Sequence, residues 1–320
     1  MEYVIYEREK FEVINNHLDL AAKGITSINE IDGLENLSGL KSLDMSYNEI
    51  KFIEGLEDLH NLEYLDLSSN QIGDIRNISH LTELKSLYLN NNMLRKIEGI
   101  DNLEELDTLE LNGNDLRVIS NLDNLKKLDM LKLGMNRIYE ISGLKNLTTL
   151  TKLHLDQNEI KKLENLETLN NLKVFDLDDN EITKIENIEE LYRLEAFILS
   201  KNRISEMDGL TEQFKLMLLN LGNNKISKIR GLEECTDLRI LNLSKNHIKE
   251  INPGDLSNQK DLVNLNLSDN QISNIEGIRG LKNLRIINLS NNQIQNFKVL
   301  KSLPNLETAY LKNNKTTLEE

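Results

Sequence analysis

Five side chains in the middle of this chain could do chemistry together: His154, Asp156, Asp176, Asp178 and Asp179. An imidazole and several carboxylates held close can share a divalent cation or raise one another's pKa. His154 and Asp176 are 22 residues apart, as are Asp156 and Asp178. Any convergence therefore depends on an element repeated with that period. A calcium site would want a convergent loop, whereas this chain scatters aspartates freely, so neither a metal nor a cofactor is expected. The remaining histidines, His17, His60, His80 and His247, show no ligand spacing. Nucleophile motifs, phosphate-cradling glycine loops and the two-histidine zinc helix signature do not occur, so no enzyme is expected.

The positioning element is visible in an asparagine that recurs at Asn48, Asn70, Asn92, Asn114, Asn136, Asn158, Asn180, Asn202, Asn224 and Asn246, then at Asn270, Asn292 and Asn314. The step is 22 residues throughout, except for 24 between Asn246 and Asn270. Each asparagine sits in the same frame, for example Leu62, Leu65, Leu67, Asn70 and Ile72. That frame is the signature of a leucine-rich repeat.

The period within one repeat assigns its parts. Leu65 and Leu67 alternate with Tyr64, Asp66 and Ser68, which predicts a short strand with its leucines inward. Beyond Asn70 the apolar residues come every third position, at Ile72, Ile75, Ile78, Leu81 and Leu84, a spacing that suits 3₁₀ turns better than an α-helix. The expected fold is an α/β right-handed solenoid, an arc with a parallel sheet on its concave face and 3₁₀ turns and extended backbone on its convex face. About fourteen strands at the usual spacing would make a sheet roughly 60 Å long. The asparagines are expected to turn inward and pair backbone groups that leave the sheet.

Residues 1–14 are expected to form an N-terminal cap, a hairpin around the charged Glu7-Arg8-Glu9-Lys10 turn. The repeat domain is expected to span 15–316, with a tail at 317–320. Asn252-Pro253-Gly254-Asp255 marks a bulge or a more helical return limb in the 24-residue repeat near 247–270. At the far end Ala309 replaces a strand leucine and Thr316 an isoleucine.

Composition narrows the class of partner. Net charge is −15, which argues against nucleic acid because a phosphate backbone is held mainly by clustered Lys and Arg. Residues 1–160 carry 29 acidic and 16 basic side chains, while residues 161–320 carry 24 and 22, a polarity that could orient a partner. No segment has the length and apolarity of a membrane span or a secretory signal, so a cytoplasmic protein without membrane contact is expected. The single cysteine, Cys235, has no partner for a disulfide or zinc site and is expected to be a small residue on the convex side.

Phrases such as Leu65-Asp66-Leu67-Ser68-Ser69-Asn70-Gln71-Ile72 and Ile182-Thr183-Lys184-Ile185-Glu186-Asn187-Ile188 resemble the SDS22-like class of leucine-rich repeat proteins over about residues 15–316. The resemblance implies a noncatalytic scaffold that holds another protein on its concave face. A regulatory subunit of a protein phosphatase is a second expectation it carries.

On the sheet face, the outward positions of the first repeats read Asp19, Asp44, Tyr64, Asp66, Tyr88, Glu110, His154, Asp156, Asp176 and Asp178, a surface suited to a basic partner. The position before the central strand residue then reads Met130, Lys152, Val174, Ala196, Leu218, Ile240, Asn264 and Ile286, with Ile198 beside it. Parallel strands would align these into an apolar column, and an exposed apolar stripe is unusual unless something covers it. The expected partner is thus a protein that is basic or in part apolar. Otherwise the chain is expected to be a monomer, or to self-associate weakly through a C-terminal edge bordered by Leu306 and Leu311.

Overall fold

Strand, turn and return limb repeat throughout a computed structural model that describes residues 2–315. Thr316 and the expected tail at 317–320 lie outside the described residues. The chain forms two compact units, Met1–Asn158 and Glu159–Glu320.

The first unit opens with an antiparallel hairpin of β1 (Tyr3–Tyr6) and β2 (Glu9–Glu12). Its turn residues Glu7 and Arg8 take positive φ angles of 50° and 70°, which lets a two-residue turn match the strand twist. Val4 and Tyr6 are buried while Tyr3 and Ile5 are exposed, the period of two that a one-sided strand requires. Reciprocal 2.9 Å bonds between the Ile5 and Asp32 backbones tie the hairpin to the first return limb.

Seven three-residue strands follow, β3 (His17–Asp19), β4 (Ser42–Asp44), β5 (Tyr64–Asp66), β6 (Ser86–Tyr88), β7 (Thr108–Glu110), β8 (Met130–Lys132) and β9 (Lys152–His154). Each pairs in parallel with the next, one repeat apart. In the second unit the same pattern gives β10 (Val174–Asp176), β11 (Ala196–Ile198), β12 (Leu218–Asn220), β13 (Ile240–Asn242), β14 (Asn264–Asn266), β15 (Ile286–Asn288) and β16 (Thr308–Tyr310). The residue at the centre of each strand is buried, except Ala309 of β16, which is exposed. Phe175 and Phe197 take that position in β10 and β11 and stack with centroids 5.6 Å apart.

The return limbs consist mostly of single turns, such as Leu59 N–H to Leu56 O and Leu62 N–H to Leu59 O, both 3.1 Å. Longer 3₁₀ helices occur only at Ile28–Glu30, Leu34–Asn36, Glu276–Ile278 and Lys298–Ser302 among the described residues. An apolar residue every third position keeps one side chain per turn in the core, so each turn is anchored by burial. The 24-residue repeat absorbs its extra residues in turns over 253–258, with Gly254 at φ 109° and Asn252 N–H held by Asp255 Oδ2 at 2.7 Å. No helix forms there.

Each ladder asparagine joins its own turn to the previous repeat. Asn114 Oδ1 accepts from Leu94 N–H at 3.0 Å, and its Nδ2 donates to Leu89 O and Leu111 O, both at 3.0 Å. Asn224 does the same in the second unit, with Ile204 N–H, Leu199 O and Leu221 O. The side chain thereby replaces the strand partners that the backbone gives up as it turns inward. The residue before each asparagine has positive φ in all thirteen cases, including Tyr47 at 56°, Met135 at 54° and Lys201 at 53°. This left-handed step costs a non-glycine residue energy; the asparagine bonds offset it.

A second ladder runs through the return limbs, with Gly55, Asn77, Gly99, Asn121, Gly143, Asn165 and Asn187 all at positive φ. Where glycine stands, a Cβ would crowd the preceding limb, 2.5 Å from Ile75 O at Gly99. Where asparagine stands, the side chain donates back to that limb, as Asn77 does to Ile53 O at 2.8 Å.

Cys235 corrects an expectation. It occupies the core slot filled by leucine in most repeats, between Leu232 and Leu238, and is fully buried. Gln213 and Gln259 take the same slot in the flanking repeats and donate to Ile188 O and Leu232 O at 2.9 and 2.6 Å. Burial pushes the Cys235 thiol pKa up to about 12, with Glu233 and Glu234 adding to the effect.

Candidate interaction surfaces on the sheet

The strand register sets the outward side chains in columns. In the first unit the position before the central leucine carries His17, Ser42, Tyr64, Ser86, Thr108, Met130 and Lys152, and the position after it carries Asp19, Asp44, Asp66, Tyr88, Glu110, Lys132 and His154. Tyr64 and Tyr88 lie diagonally with ring centroids 5.1 Å apart. Burial raises the pKa of both phenols, and Asp66 pushes Tyr64 further in the same direction. Asp66 is itself raised, first by burial and then, against the Ser68 N–H bond, by the neighbouring Asp44.

The acidic residues in that second column have a backbone role that the sequence pattern did not reveal. Asp44 Oδ1 accepts from Ser46 N–H and Asp66 Oδ1 from Ser68 N–H, both at 2.8 Å. Such an Asx turn holds the chain as it leaves the strand. Tyr88 and Glu110 cannot form it, and the next column substitutes: Asn90 Oδ1 accepts from Asn112 N–H at 2.9 Å and Asn112 Oδ1 from Gly134 N–H at 2.7 Å. Glu110 is then free to hold Lys132 at 2.8 Å and Asn90 Nδ2 at 2.9 Å. At the flank of this face Glu63 bridges Lys41 and Lys85 at 2.6 and 2.7 Å, and hydrogen bonds from those two ammonium groups lower its pKa to about 2.

His154 and Asp156 belong to the first unit, whereas Asp176, Asp178 and Asp179 belong to the second. A Cβ at Gly134 would lie 2.4 Å from Asp156 Oδ1, so glycine there makes room for that carboxylate. In the second unit Asp176 Oδ1 accepts from Asp178 N–H at 3.0 Å, and Asp178 is held by Lys201 at 2.8 Å and by the Ser200 hydroxyl.

The second unit presents a different face. Its first column is Val174, Ala196, Leu218, Ile240, Asn264 and Ile286, paired strand to strand. Ile240 is 42% exposed and Ile286 36%. Beside it the second column runs Asp176, Ile198, Asn220, Asn242, Asn266 and Asn288. The last four are face residues the sequence reading missed, hidden among the many asparagines of the ladder. Their only signal was recurrence four positions before the ladder residue. Each spends Oδ1 on the N–H two residues on, at 3.0–3.1 Å, and presents its amide without a charge. At the last strand, Leu306 and Leu311 are half-buried and Tyr310 is exposed.

Comparison with known proteins agrees with this architecture. Models of leucine-rich repeats match residues 38–82, 60–102 and 260–302 as two-copy units and 237–259 as a single repeat. An internalin of Listeria monocytogenes superposes with a TM-score of 0.84 at 31% identity, covering 92% of this chain and 86% of that one. The chain belongs to the leucine-rich-repeat proteins. A leucine-rich-repeat protein of Leptospira interrogans is 26% identical over 94% of this chain and 91% of its own, with a TM-score of 0.77. Drosophila Toll, solved in complex with Spatzle, shares the fold alone: 21% identity, 88% of this chain, 45% of that chain and a TM-score of 0.71. A search of curated proteins returned no match. The SDS22-like subclass gains no support from these comparisons. Among the described residues no helix is long and apolar enough to cross a membrane.

Proposed function

We propose that this protein is a noncatalytic scaffold that binds another protein on the sheet face of its second unit. The observation that carries this reading is the column from Val174 to Ile286, whose aliphatic side chains stand in register on an open sheet. Removing such surface from water contributes about 25 cal/mol per Å², and isolated apolar patches of this kind mark interaction sites. The amides of Asn242, Asn266 and Asn288 beside the column add hydrogen bonds without the desolvation cost of a charge. A partner that meets this face is therefore apolar and uncharged at its centre. The first unit's Asp44, Tyr64, Asp66, Tyr88 and Glu110 steer such a partner by long-range attraction if it also carries basic groups. Toll bound to Spatzle supports the general reading, as a protein of the same fold solved with a protein partner.

The test is affinity capture with the full chain and with a Leu218→Asp/Ile240→Asp variant, compared by mass spectrometry. Both side chains point away from the core, so the variant should keep its melting temperature. The partner set retained by the wild type should be lost from the variant. Retention of the same partners at undiminished strength would falsify the assignment of this face.

A further inference from the structure

The first unit carries a feature that its acidic character does not suggest. Two positions just beyond the ladder asparagine, in three consecutive repeats, hold Met93 and Arg95, then Asp115 and Arg117, then Arg137 and Tyr139. Their relative register is fixed by backbone bonds from one repeat to the next: Met93 N–H to Ile72 O, Asp115 N–H to Leu94 O and Arg137 N–H to Leu116 O, all 2.9 Å. Arg95, Asp115, Arg117 and Arg137 line one shallow pocket. Asp115 is engaged by Arg137 at 3.3 Å, and neither Arg95 nor Arg117 has an ion-pair partner among the described residues. The pocket therefore holds two positive charges in excess, within the half of the chain that carries a net −13. At the same ladder positions of these repeats Met93 is 55% and Tyr139 48% exposed.

Arginine, methionine and tyrosine are the residue types enriched where proteins meet, and a guanidinium fork matches a carboxylate in two-point contact. The equivalent positions of the second unit are unlike this. Serine stands at 205, 227 and 273 and lysine, a point charge without the guanidinium fork, at 161, 225 and 249, and the one arginine, Arg203, is already paired with Glu181 at 2.8 Å. A surface that merely kept the repeat soluble would not concentrate unpaired arginines and exposed Met and Tyr in three repeats of one unit. We propose that this array is a second docking surface, for an acidic protein segment that places carboxylates on Arg95, Arg117 and Arg137 and an apolar side chain against Met93 or Tyr139. It does not depend on the sheet-face reading, since the two surfaces lie on different parts of the repeat.

The probe is a fluorescein-labelled hexapeptide of five glutamates and one phenylalanine, titrated with the full chain. A peptide with lysine in place of glutamate and one with alanine in place of phenylalanine serve as controls. Binding of the first peptide should weaken about tenfold between roughly 50 and 300 mM salt, as exposed charges are screened. Arg95→Glu/Arg117→Glu should remove it, while Arg203→Glu and Leu218→Asp/Ile240→Asp should leave it within about twofold, as expected for distant sites. All these substitutions fall on side chains outside the core, and unchanged melting of each variant separates loss of binding from loss of fold. The proposal is overturned by absence of binding at low salt, by equal binding of the lysine peptide, or by full binding to the double charge-reversal variant. Equal affinity for the alanine peptide would also overturn it, leaving a general anion pocket in place of a docking surface.

Discussion

The sheet faces of the two units use the same backbone and carry different chemistry. In both, an Asp or Asn after the central strand position serves the turn that follows, whereas Tyr88, Glu110 and Ile198 at that position have no such acceptor. Asp44 and Asp66 close it in the first unit, and Asn220, Asn242, Asn266 and Asn288 close it in the second. Aspartate and asparagine are equivalent as acceptors for that N–H, so the turn leaves the charge of this column free to vary. The column before it has no backbone duty at all. It is mostly polar in the first unit, where Met130 is the aliphatic exception, and mostly aliphatic in the second, where Asn264 and Thr308 are the polar exceptions. Function is therefore best sought in those two choices, charge in one column and apolarity in the other, because the rest of the face answers to the fold.

The largest effect tests the packing of the second unit alone. With its pKa pushed up to about 12, the Cys235 thiol should react with iodoacetamide at pH 8 about a thousandfold more slowly than in the urea-unfolded chain, since the thiolate is the reactive form. As the only cysteine, it reports opening of its own unit. Native reactivity near that of the unfolded chain would show that the slot shared with Gln213 and Gln259 is open to solvent.

The next effect asks whether the ladder is common to both units. Asn114→Ala and Asn224→Ala each leave one buried donor and two carbonyls without their partner, which costs about 2–4 kcal/mol. Urea denaturation should give similar losses for the two. A ladder residue that can be removed without loss in one unit would break the equivalence on which the comparison rests.

Exchange of the column residues sharpens it further. Asp66→Asn keeps the acceptor for Ser68 N–H and removes a carboxylate whose pKa burial has raised. It should raise stability slightly at neutral pH, read as a small upward shift of the urea midpoint. Asn242→Asp should act in the opposite direction and also place a charge beside Ile240, weakening any apolar partner. Asp66→Ala, which deletes the acceptor, should destabilise.

The smallest effect lies at the flank of the first face. Glu63 ionises near pH 2 in the folded protein against about 4.5 for an ordinary glutamate. A carboxyl with a lowered folded pKa stabilises the fold above its unfolded value and loses that contribution as pH falls through the folded one, here between about 4.5 and 2. Glu63 is solvent-exposed, so the effect should be slight and vanish in salt. A Glu63→Gln variant should show a slightly flatter acid melting profile in that window.

Much of this protein was legible before its structure. The period of 22 placed the asparagines, the inward leucines and the outward column at Val174, Leu218 and Ile240, because a strand alternates its side chains and a parallel stack copies the register. The left-handed step before each asparagine is marked in sequence at Asn91, Gly113, Asp179, Asn223, Asp269, Asn291 and Asn313, but Tyr47, Met135 and Lys201 are not residues that advertise it. Nor did the Gly and Asn alternation of the return limbs stand out among so many asparagines.

What the sequence determined alone was therefore the repeat, its core and which side chains leave it, all properties of local spacing. Only the tertiary structure decided which outward groups are already engaged. Asp66 looked like a binding residue and is first a turn acceptor, while Arg95 and Arg117, which no sequence pattern singled out, have no ion-pair partner among the described residues. Such distinctions depend on hydrogen bonds between residues two apart and on contacts between adjacent repeats, and burial and partner geometry in the folded chain set both.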